Sequence, residues 1–277
     1  MSDIIALENS VMAGAVSPEI PSVLNADYPA CMMWFRFLEG AGASLADKIG
    51  NVTDLAITEN GAGDGWASWG GPGDQWSSED AGGAEVYART TGQAPTAIRT
   101  IGAKSMIIEL DINVIGGQNG AVMPVGLYSS PSTLGYSIYW SDSGVFQMRL
   151  GGESNNSIIV SFTNTPAITR NNRTHHVFAY DRSATDLIGS VDYFANGALV
   201  ETKIPGTDPG LLNVTTANNN GRLGLGSDVN GTQPVCEVDF YNVRIWVLDS
   251  IPTNIASIAA QMSGMRNEFP PLMAGIV

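Results

Sequence analysis

The clearest pattern of hydrophobic and polar positions lies between residues 174 and 203. Apolar and polar side chains alternate there with a period of two, which is typical of a half-buried β-strand. Asn196 and Gly197 interrupt the alternation, and both residues tolerate the positive φ angles of a type I′ turn. The pattern therefore predicts one strand before residue 182, and then an antiparallel hairpin formed by Ser190–Ala195 and Ala198–Lys203.

Similar short runs predict further strands, separated by clusters of Gly, Ser, Asn and Pro. They are Met32–Leu38, Thr53–Thr58, Ser105–Ile115, Ala121–Tyr128, Tyr136–Ser141, Val145–Leu150 and Ile158–Phe162. The 32 glycines suit a fold with many tight turns. Strands at this spacing predict an all-β fold, an antiparallel sandwich of two sheets.

One helix is predicted near the carboxyl end, at Thr253–Met265. Its apolar residues recur at helical spacing, with Thr253 as the expected cap and Gly264 as the expected stop. The repeating apolar positions are Ile255, Ile258, Ala259 and Met262. We expect a short amphipathic helix that packs one face on the sandwich.

The two ends of the chain differ from its middle. Residues 1–30 contain Pro18, Pro21 and Pro29, which break any helix that might begin earlier, so we expect an extended arm. Residues 31–266 form one predicted domain, and residues 267–277 form an apolar tail. An apolar tail left in water is a liability, so we expect both ends to dock on other protein subunits, in a homo-oligomer or a larger assembly.

Charge excludes two classes of partner. The chain has 13 basic and 27 acidic residues, a formal net charge of −14, and a field of that sign repels nucleic-acid phosphates and anionic lipids. No apolar run is long enough to span a membrane, and the amino-terminal residues lack the pattern of a signal peptide. These features predict synthesis in a cytosol, with a leader removed before this numbering as the alternative. Cys31 and Cys236 could pair, but we expect two free, buried thiols.

Several motifs, taken in chain order, carry a family resemblance. Phe35–Gly42 combines a strand, an acidic residue and a Gly-rich turn, and Leu45–Asn51 contains an Asp-x-x-Gly-Asn loop. His175–Asp181, the hairpin after it, and Val243–Trp246 before the final helix complete the set. Together they resemble laminin-G-like jelly-roll domains of the concanavalin A-like lectin/glucanase superfamily. The resemblance covers about residues 32–265 and implies a two-sheet antiparallel jelly roll.

The superfamily also implies two candidate sites. In related domains the loop equivalent to Glu39, Asp47 and Asn51 sometimes lies near calcium, a cation that prefers oxygen ligands. Tyr241 stands where many members carry an Asp, so one expected ligand is missing, and Asp47 would otherwise cap its own turn. No other cofactor is expected.

A Gly-rich segment from Gly61 to Gly83 is the second candidate. It is predicted to be a loop and contains Trp66, Trp69 and Trp76. Exposed indoles could stack on sugar rings, so the segment is a candidate carbohydrate-binding site. The alternative is that these aromatic side chains cap the end of the core.

The strand Ser105–Ile115 bears on catalysis. Glu109, Asp111 and Asn113 are predicted on its outer, polar face, in the order Glu-x-Asp-x-Asn. Superfamily glucanases use Glu-x-Asp-x-Glu, in which the last Glu protonates the leaving group, and Asn cannot do so. Glu237–Asn242 has the same gap. A polar outer face explains both patterns, and we expect a chain that is not an enzyme.

His175 and His176 are the only histidines of the chain. Adjacent residues of a strand point to opposite faces of the sheet, so the pair cannot form a two-histidine metal site by itself. We expect structural roles for both side chains.

Three functions stay open at this point. The first is a non-catalytic structural or adhesion protein, a virion component such as a phage capsid decoration or fibre protein, assembled in the host cytoplasm. The second is a lectin-type carbohydrate-binding module, which could be extracellular. The third is a glycoside hydrolase. The same sandwich hosts all three classes.

Overall fold

The computed structural model describes the central part of the chain with gaps. The described residues are 31–37, 43–47, 49–50, 54–60, 76–81, 84–116, 122–129, 134–141, 144–151, 157–163, 172–182, 188–214, 221–226 and 237–265. The predicted arm at residues 1–30, the predicted tail at residues 267–277, and Cys236 lie outside them. Cys31 begins the first strand.

Two antiparallel sheets form a sandwich, as predicted. Sheet I contains β1 (Cys31–Phe35), β4 (Trp76–Ala81), β7 (Ser105–Gly116), β12 (Thr174–Asp181), β13 (Ser190–Ala195), β14 (Ala198–Lys203) and β17 (Glu237–Leu248). Its order is β4-β17-β7-β12-β13-β14, and β1 pairs with β17 as well.

Sheet II lies opposite. It contains β2 (Ser44–Leu45), β3 (Leu55–Asn60), β5 (Ala84–Arg89), β8 (Val122–Ser129), β9 (Leu134–Trp140), β10 (Phe146–Gly151), β11 (Ser157–Ser161) and β16 (Gly224–Leu225). Its order is β3-β5-β16-β8-β9-β10-β11, with β2 on β3. Because β4 also pairs with β5, the two sheets are continuous along one side. Outside the two large sheets, β6 (Thr100–Gly102) pairs with β15 (Leu212–Asn213). The short helix α1 (Thr96–Arg99) directly precedes β6.

The main core lies between the sheets. Its centre is aromatic: the rings of Phe178 and Tyr193 are stacked with centroids 4.8 Å apart, and Phe146 packs edge-on against Phe178 from the opposite sheet. These side chains face inward because alternate residues of each strand point to the same face. Burial of this apolar surface is the main stabilising contribution to the fold.

A second, smaller core covers part of the outer face of sheet I. Helix α2 (Ile255–Met265) buries Ile255, Ile258, Ala259 and Met262 there. These are the four positions that the sequence predicted. Their partners on the sheet include Ile107, Val177, Ala179, Phe194 and Trp246. The helix lies close to the β13–β14 turn, since a Cβ on Gly197 would be 2.9 Å from the Cα atom of Ala260.

The hairpin is confirmed, and two other expectations are corrected. Asn196 and Gly197 have φ values of 48° and 81°, as a type I′ turn requires. Residues 76–81 form a strand rather than part of a loop, because β4 gains ladder partners in both β17 and β5. Helix α2 begins at Ile255, after Thr253, and it continues through Gly264.

Neither of the two helices among the described residues is long and apolar enough to cross a membrane.

Candidate functional site

Beside the area covered by α2, the outer face of sheet I carries a row of charged and polar side chains. Strand β7 supplies Glu109 and Asp111, β17 supplies Arg244, and β12 supplies His175. The register places Arg244 directly opposite Glu109, and His175 directly opposite Asp111. Three adjacent strands therefore bring these groups together from distant parts of the sequence.

Glu109 is the centre of this row. Arg244 donates hydrogen bonds to both of its carboxylate oxygens, from Nε to Oε2 and from Nη2 to Oε1, the latter at 2.7 Å. The Nε2 atom of His175 lies 2.8 Å from Oε1. Glu109, His175 and Arg244 are all at most 3% exposed. The carboxylate is thus held by two cationic or potentially cationic partners away from water.

Two indole rings enclose the Arg244 side chain. Its guanidinium carbon lies 5.7 Å from the ring centroid of Trp34 and 5.3 Å from that of Trp246. A cation over an aromatic face is stabilised by the ring quadrupole, more strongly when water is excluded. The Nε1 atom of Trp34 donates a 2.7 Å hydrogen bond to Oδ1 of Asn242, which fixes that indole. The ion pair is therefore buried in a rigid aromatic setting.

Asp111 has its own arginine. Arg173 donates from Nε and Nη2 to its carboxylate, at 2.6–3.1 Å, and the guanidinium lies 4.1 Å from the ring centroid of Tyr241. Two positions along the same face, Asn113 donates from Nδ2 to Asp239 at 2.9 Å. Both acidic residues of the Glu-x-Asp-x-Asn strand are consequently engaged by arginines.

The outer face of β7 carries the predicted polar side chains, but it is not open to solvent here. Glu109 and Asp111 lie on the outer side, yet each is only 1% exposed, with Arg244 between Glu109 and Trp34 and with Arg173 on Asp111. Burial raises the pKa of Glu109, but the charge of Arg244 and the hydrogen bonds from His175 and Arg244 outweigh it and lower the pKa to about 2. A buried, ionised and paired carboxylate cannot reach a glycosidic bond.

The two histidines lie on opposite faces of β12, as strand geometry predicts. His175 faces outward toward Glu109, whereas His176 faces the main core. There its Nδ1 lies 3.0 Å from the hydroxyl of Tyr193, and its Nε2 lies 2.9 Å from that of Thr174. Both rings are buried and hydrogen-bonded, in the structural roles that the sequence suggested.

For the proposed calcium loop the structure describes only Asp47, since Glu39 and Asn51 lie outside the described residues. The Oδ1 atom of Asp47 accepts hydrogen bonds from the amides of Trp34, at 2.9 Å, and Ile49, at 3.1 Å. Within the described residues no three His, Cys, Asp or Glu side chains are grouped as a metal site. The observed contacts fit the alternative role of Asp47, which is to cap its own turn and anchor β1.

The tryptophan site is also described only in part. Trp66 and Trp69 lie outside the described residues. Trp76 begins β4, with its backbone opposite Phe240 of β17. The structure thus places Trp76 on the outermost strand of sheet I. That the three tryptophans lie together in one binding site stays a prediction.

Sequence reasoning missed the arginines that engage Glu109 and Asp111. Arg244 stands in an otherwise apolar run, Val243–Trp246, and an isolated charge on such a strand signals a buried partner. The pairing of β7 with β17 joins residues 135 positions apart, which local patterns do not reveal. Arg173 likewise precedes β12 without any local mark of its role.

Solved structures with a similar fold are known. A botulinum neurotoxin DC binding domain, solved in complex with rat synaptotagmin II, matches with a TM-score of 0.55 and 12% identity over 86% of this chain. A botulinum neurotoxin type C structure, whose cell entry is described as dependent on two ganglioside molecules, matches with a TM-score of 0.56 and 11% identity over 88% of this chain. The binding domain of Paraclostridial Mosquitocidal Protein 1 matches with a TM-score of 0.54 and 11% identity over 86% of this chain.

The matches cover 52%, 53% and 52% of those chains, so this chain spans about half of their length. At such low identity the likeness establishes the β-sandwich fold alone. No protein-family model matches the sequence, and no curated protein matches it either.

Proposed function

We propose that this chain is a non-catalytic adhesion module built on a lectin-like sandwich of the laminin-G type. One observation carries the proposal. The carboxylates that could have served a glycosidase, Glu109 and Asp111, are buried and each bound by an arginine. Their role is to hold three strands of sheet I together, which argues against glycosidase chemistry at this face. The similar structures that are described as binding domains support this class.

Within that class, we propose that the module is a subunit of a larger assembly, a virion component such as a phage capsid decoration or fibre protein. The partners are other protein subunits, contacted through residues 1–30 and 267–277. The carboxyl-terminal segment PPLMAGIV is apolar throughout, and exposed apolar surface of this kind marks an interaction site or an aggregation liability.

The assembly proposal is tested on the full chain by sedimentation velocity and limited proteolysis. We expect the isolated chain to self-associate, and a variant lacking residues 267–277 to associate less, because less apolar surface then seeks a partner. The opposite result is a full-length monomer whose two ends both resist protease. The ends would then pack on their own domain, which would contradict an assembly role.

Carbohydrate binding is the second candidate function, with Trp66, Trp69 and Trp76 as the binding residues. The similar neurotoxin structure described with ganglioside molecules favours it. Aromatic faces provide large contact areas at low entropic cost, which suits them to sugar rings. A calcium ion held by Glu39, Asp47 and Asn51 would be a structural support of the loop that carries these three residues.

Glycan-array screening tests the tryptophan site. We expect the triple variant Trp66→Ala, Trp69→Ala, Trp76→Ala to lose binding by at least about tenfold, the value of one well-packed aromatic contact. Ile204→Ala is the control, since it removes an apolar side chain that is 73% exposed elsewhere on the surface. If the triple variant and the control bind equally well, the tryptophan site is excluded.

A further inference from the structure

Strands β8 to β11 of sheet II differ from the rest of the chain in charge. Although the whole chain has 40 Lys, Arg, Asp and Glu residues, these four strands contain one charged residue, Arg149. The chain has twice as many acidic as basic residues, so a four-strand region with one arginine and no carboxylate is a local exception. An anion approaching this region meets no acidic side chain on the strands.

The outer face of β9, β10 and β11 forms a small, regular platform. Register places Arg149 between Ser137 and Ile159, and Gln147 between Tyr139 and Ser161. Strands lie about 4.8 Å apart and alternate residues about 7 Å apart, so the six positions span roughly 10 by 7 Å. We call this surface the Arg149 platform; it consists of Ser137, Tyr139, Gln147, Arg149, Ile159 and Ser161.

Polar contacts within the platform are incomplete. The guanidinium of Arg149 lies flat over Tyr139, 3.9 Å from the ring centroid. Within the described ranges its guanidinium donates one long hydrogen bond, 3.5 Å from Nη2 to Oε1 of Gln147, and Gln147 donates to Ser161 at 3.2 Å. In the part of the chain that the structure describes, Arg149 has no carboxylate partner, unlike Arg173, Arg182 and Arg244.

Two buried atoms of the platform, Nε of Arg149 and Oγ of Ser137, have no hydrogen-bond partner among the described residues. Ser137 is 0% exposed, whereas Ile159, two strands away, is 52% exposed. Leaving a buried donor unpaired costs about 1–3 kcal/mol, so each such atom calls for a partner such as a water, an ion or a ligand. The platform thus combines an accessible edge with unsatisfied polar groups at its inner end.

We propose that the Arg149 platform binds the carboxylate-bearing sugar of an acidic glycan. The planar guanidinium pairs with a carboxylate through two parallel hydrogen bonds from its N–H groups. Gln147 and Ser161 supply donors and acceptors for sugar hydroxyls, and Ile159 with the Tyr139 ring supplies apolar contact. Arg149 is the anchor and Tyr139 orients it.

An acidic peptide fits this surface less well than a sugar. A peptide rich in Asp and Glu needs several cations, and the platform has one. A sugar carries one carboxylate among many hydroxyls, which matches one arginine among amide and hydroxyl groups. The inference deepens the proposed binding function and rests on it, but it uses different residues from the three tryptophans.

The test uses isothermal titration of the full chain with matched pairs of ligands. Sialyllactose is compared with lactose, and trigalacturonate with its methyl ester, so that each pair differs in its acid group; sulfated lactose tests sulfate against carboxylate. We expect a carboxylated member to bind at least about tenfold more tightly than its neutral partner. We expect Arg149→Gln to abolish that difference and Arg149→Lys to retain only part of it.

Arg89→Gln is the matched control, because Arg89 also lies over a tyrosine, Tyr87, at 5.3 Å in the same sheet. Equal losses in both variants would mean a general charge effect and would overturn the proposal. So would equal affinity for acidic and neutral sugars, preference for sulfate, or displacement of the sugar by a polyglutamate peptide. If acid-selective binding survives in the triple tryptophan variant, the platform is supported. The three tryptophans are then not the site of that binding. Thermal melting checks that each variant is folded. If Arg149→Gln is unstable, Arg149→Lys serves as the test, because it keeps the charge but loses the paired hydrogen bonds.

Discussion

Glu109→Gln lowers the free energy of unfolding by about 3–5 kcal/mol, the usual cost of breaking a buried ion pair. The amide keeps the shape of the carboxylate but not its charge. Arg244 then remains buried between Trp34 and Trp246 with no counter-charge, and His175 loses its charged acceptor. Urea denaturation monitored by tryptophan fluorescence measures the change.

Asp249→Asn is the matched control, since Asp249 also pairs with a cation, Lys104, but its side chain is 92% exposed. An exposed pair contributes about 0–1 kcal/mol. Comparable effects of the two variants would show that the Glu109 pair is not the structural centre of sheet I. Glu109→Leu combined with Arg244→Met is expected to recover much of the loss, because removing both charges leaves no unpaired one.

The same pair sets an acid dependence that sharpens this test. Because the pKa of Glu109 in the folded chain, about 2, lies below its ordinary value of 4.5, folding favours the ionised form. The stabilisation is complete above about pH 4.5 and is lost as the pH falls toward 2, at about 1.4 kcal/mol per pH unit. Glu109→Gln should lack this component between those two values.

Gly135→Ala is expected to be destabilising by about 3 kcal/mol or more. Gly135 has a φ of +114°, a conformation that side chains other than glycine adopt only under strain. A Cβ there would lie 1.8 Å from the carbonyl oxygen of Leu127, which belongs to the neighbouring strand β8. Backbone must move for the methyl group to fit, and such overpacking adds to the strain. The shift in the denaturation midpoint measures the effect.

Gly92→Ala is the control for this change. Gly92 is exposed, and nothing lies within 4 Å of the position that its Cβ would take. The substitution there should be neutral or stabilise by up to about 1 kcal/mol, because alanine restricts the unfolded chain. Equal stabilities of the two alanine variants would mean that β8 and β9 are not held at the observed distance.

Features with local causes could be predicted from the sequence. Asn196 and Gly197 dictate their turn through backbone preferences alone, and the spacing of Ile255, Ile258 and Met262 defines the buried side of α2. By contrast, β4 has the sequence WSSEDA, which shows no apolar alternation. It is a strand because two strands distant in sequence supply its hydrogen bonds, and tertiary pairing overrides weak local preference.

Burial of the charged groups was unpredictable for a related reason. The alternation in β7 correctly placed Glu109 on the outer face, but it carried no information about what covers that face. The counter-charge comes from Arg244, more than 100 residues later in the chain, and the guanidinium lies over the Trp34 ring. The Arg149 platform was missed because its property is an absence of acidic residues on four strands, which appears only once their pairing is known.

The position of β17 also governs when the domain can form during synthesis. Strand β17 pairs with β1, β4 and β7, all of which emerge from the ribosome at least 120 residues earlier. Until residue 248 has been made, those strands lack the partner that joins them, and their apolar faces stay uncovered. Folds that depend on such distant pairings fold slowly and pass through aggregation-prone states. We therefore expect newly made chains to be prone to aggregation until β17 has been made.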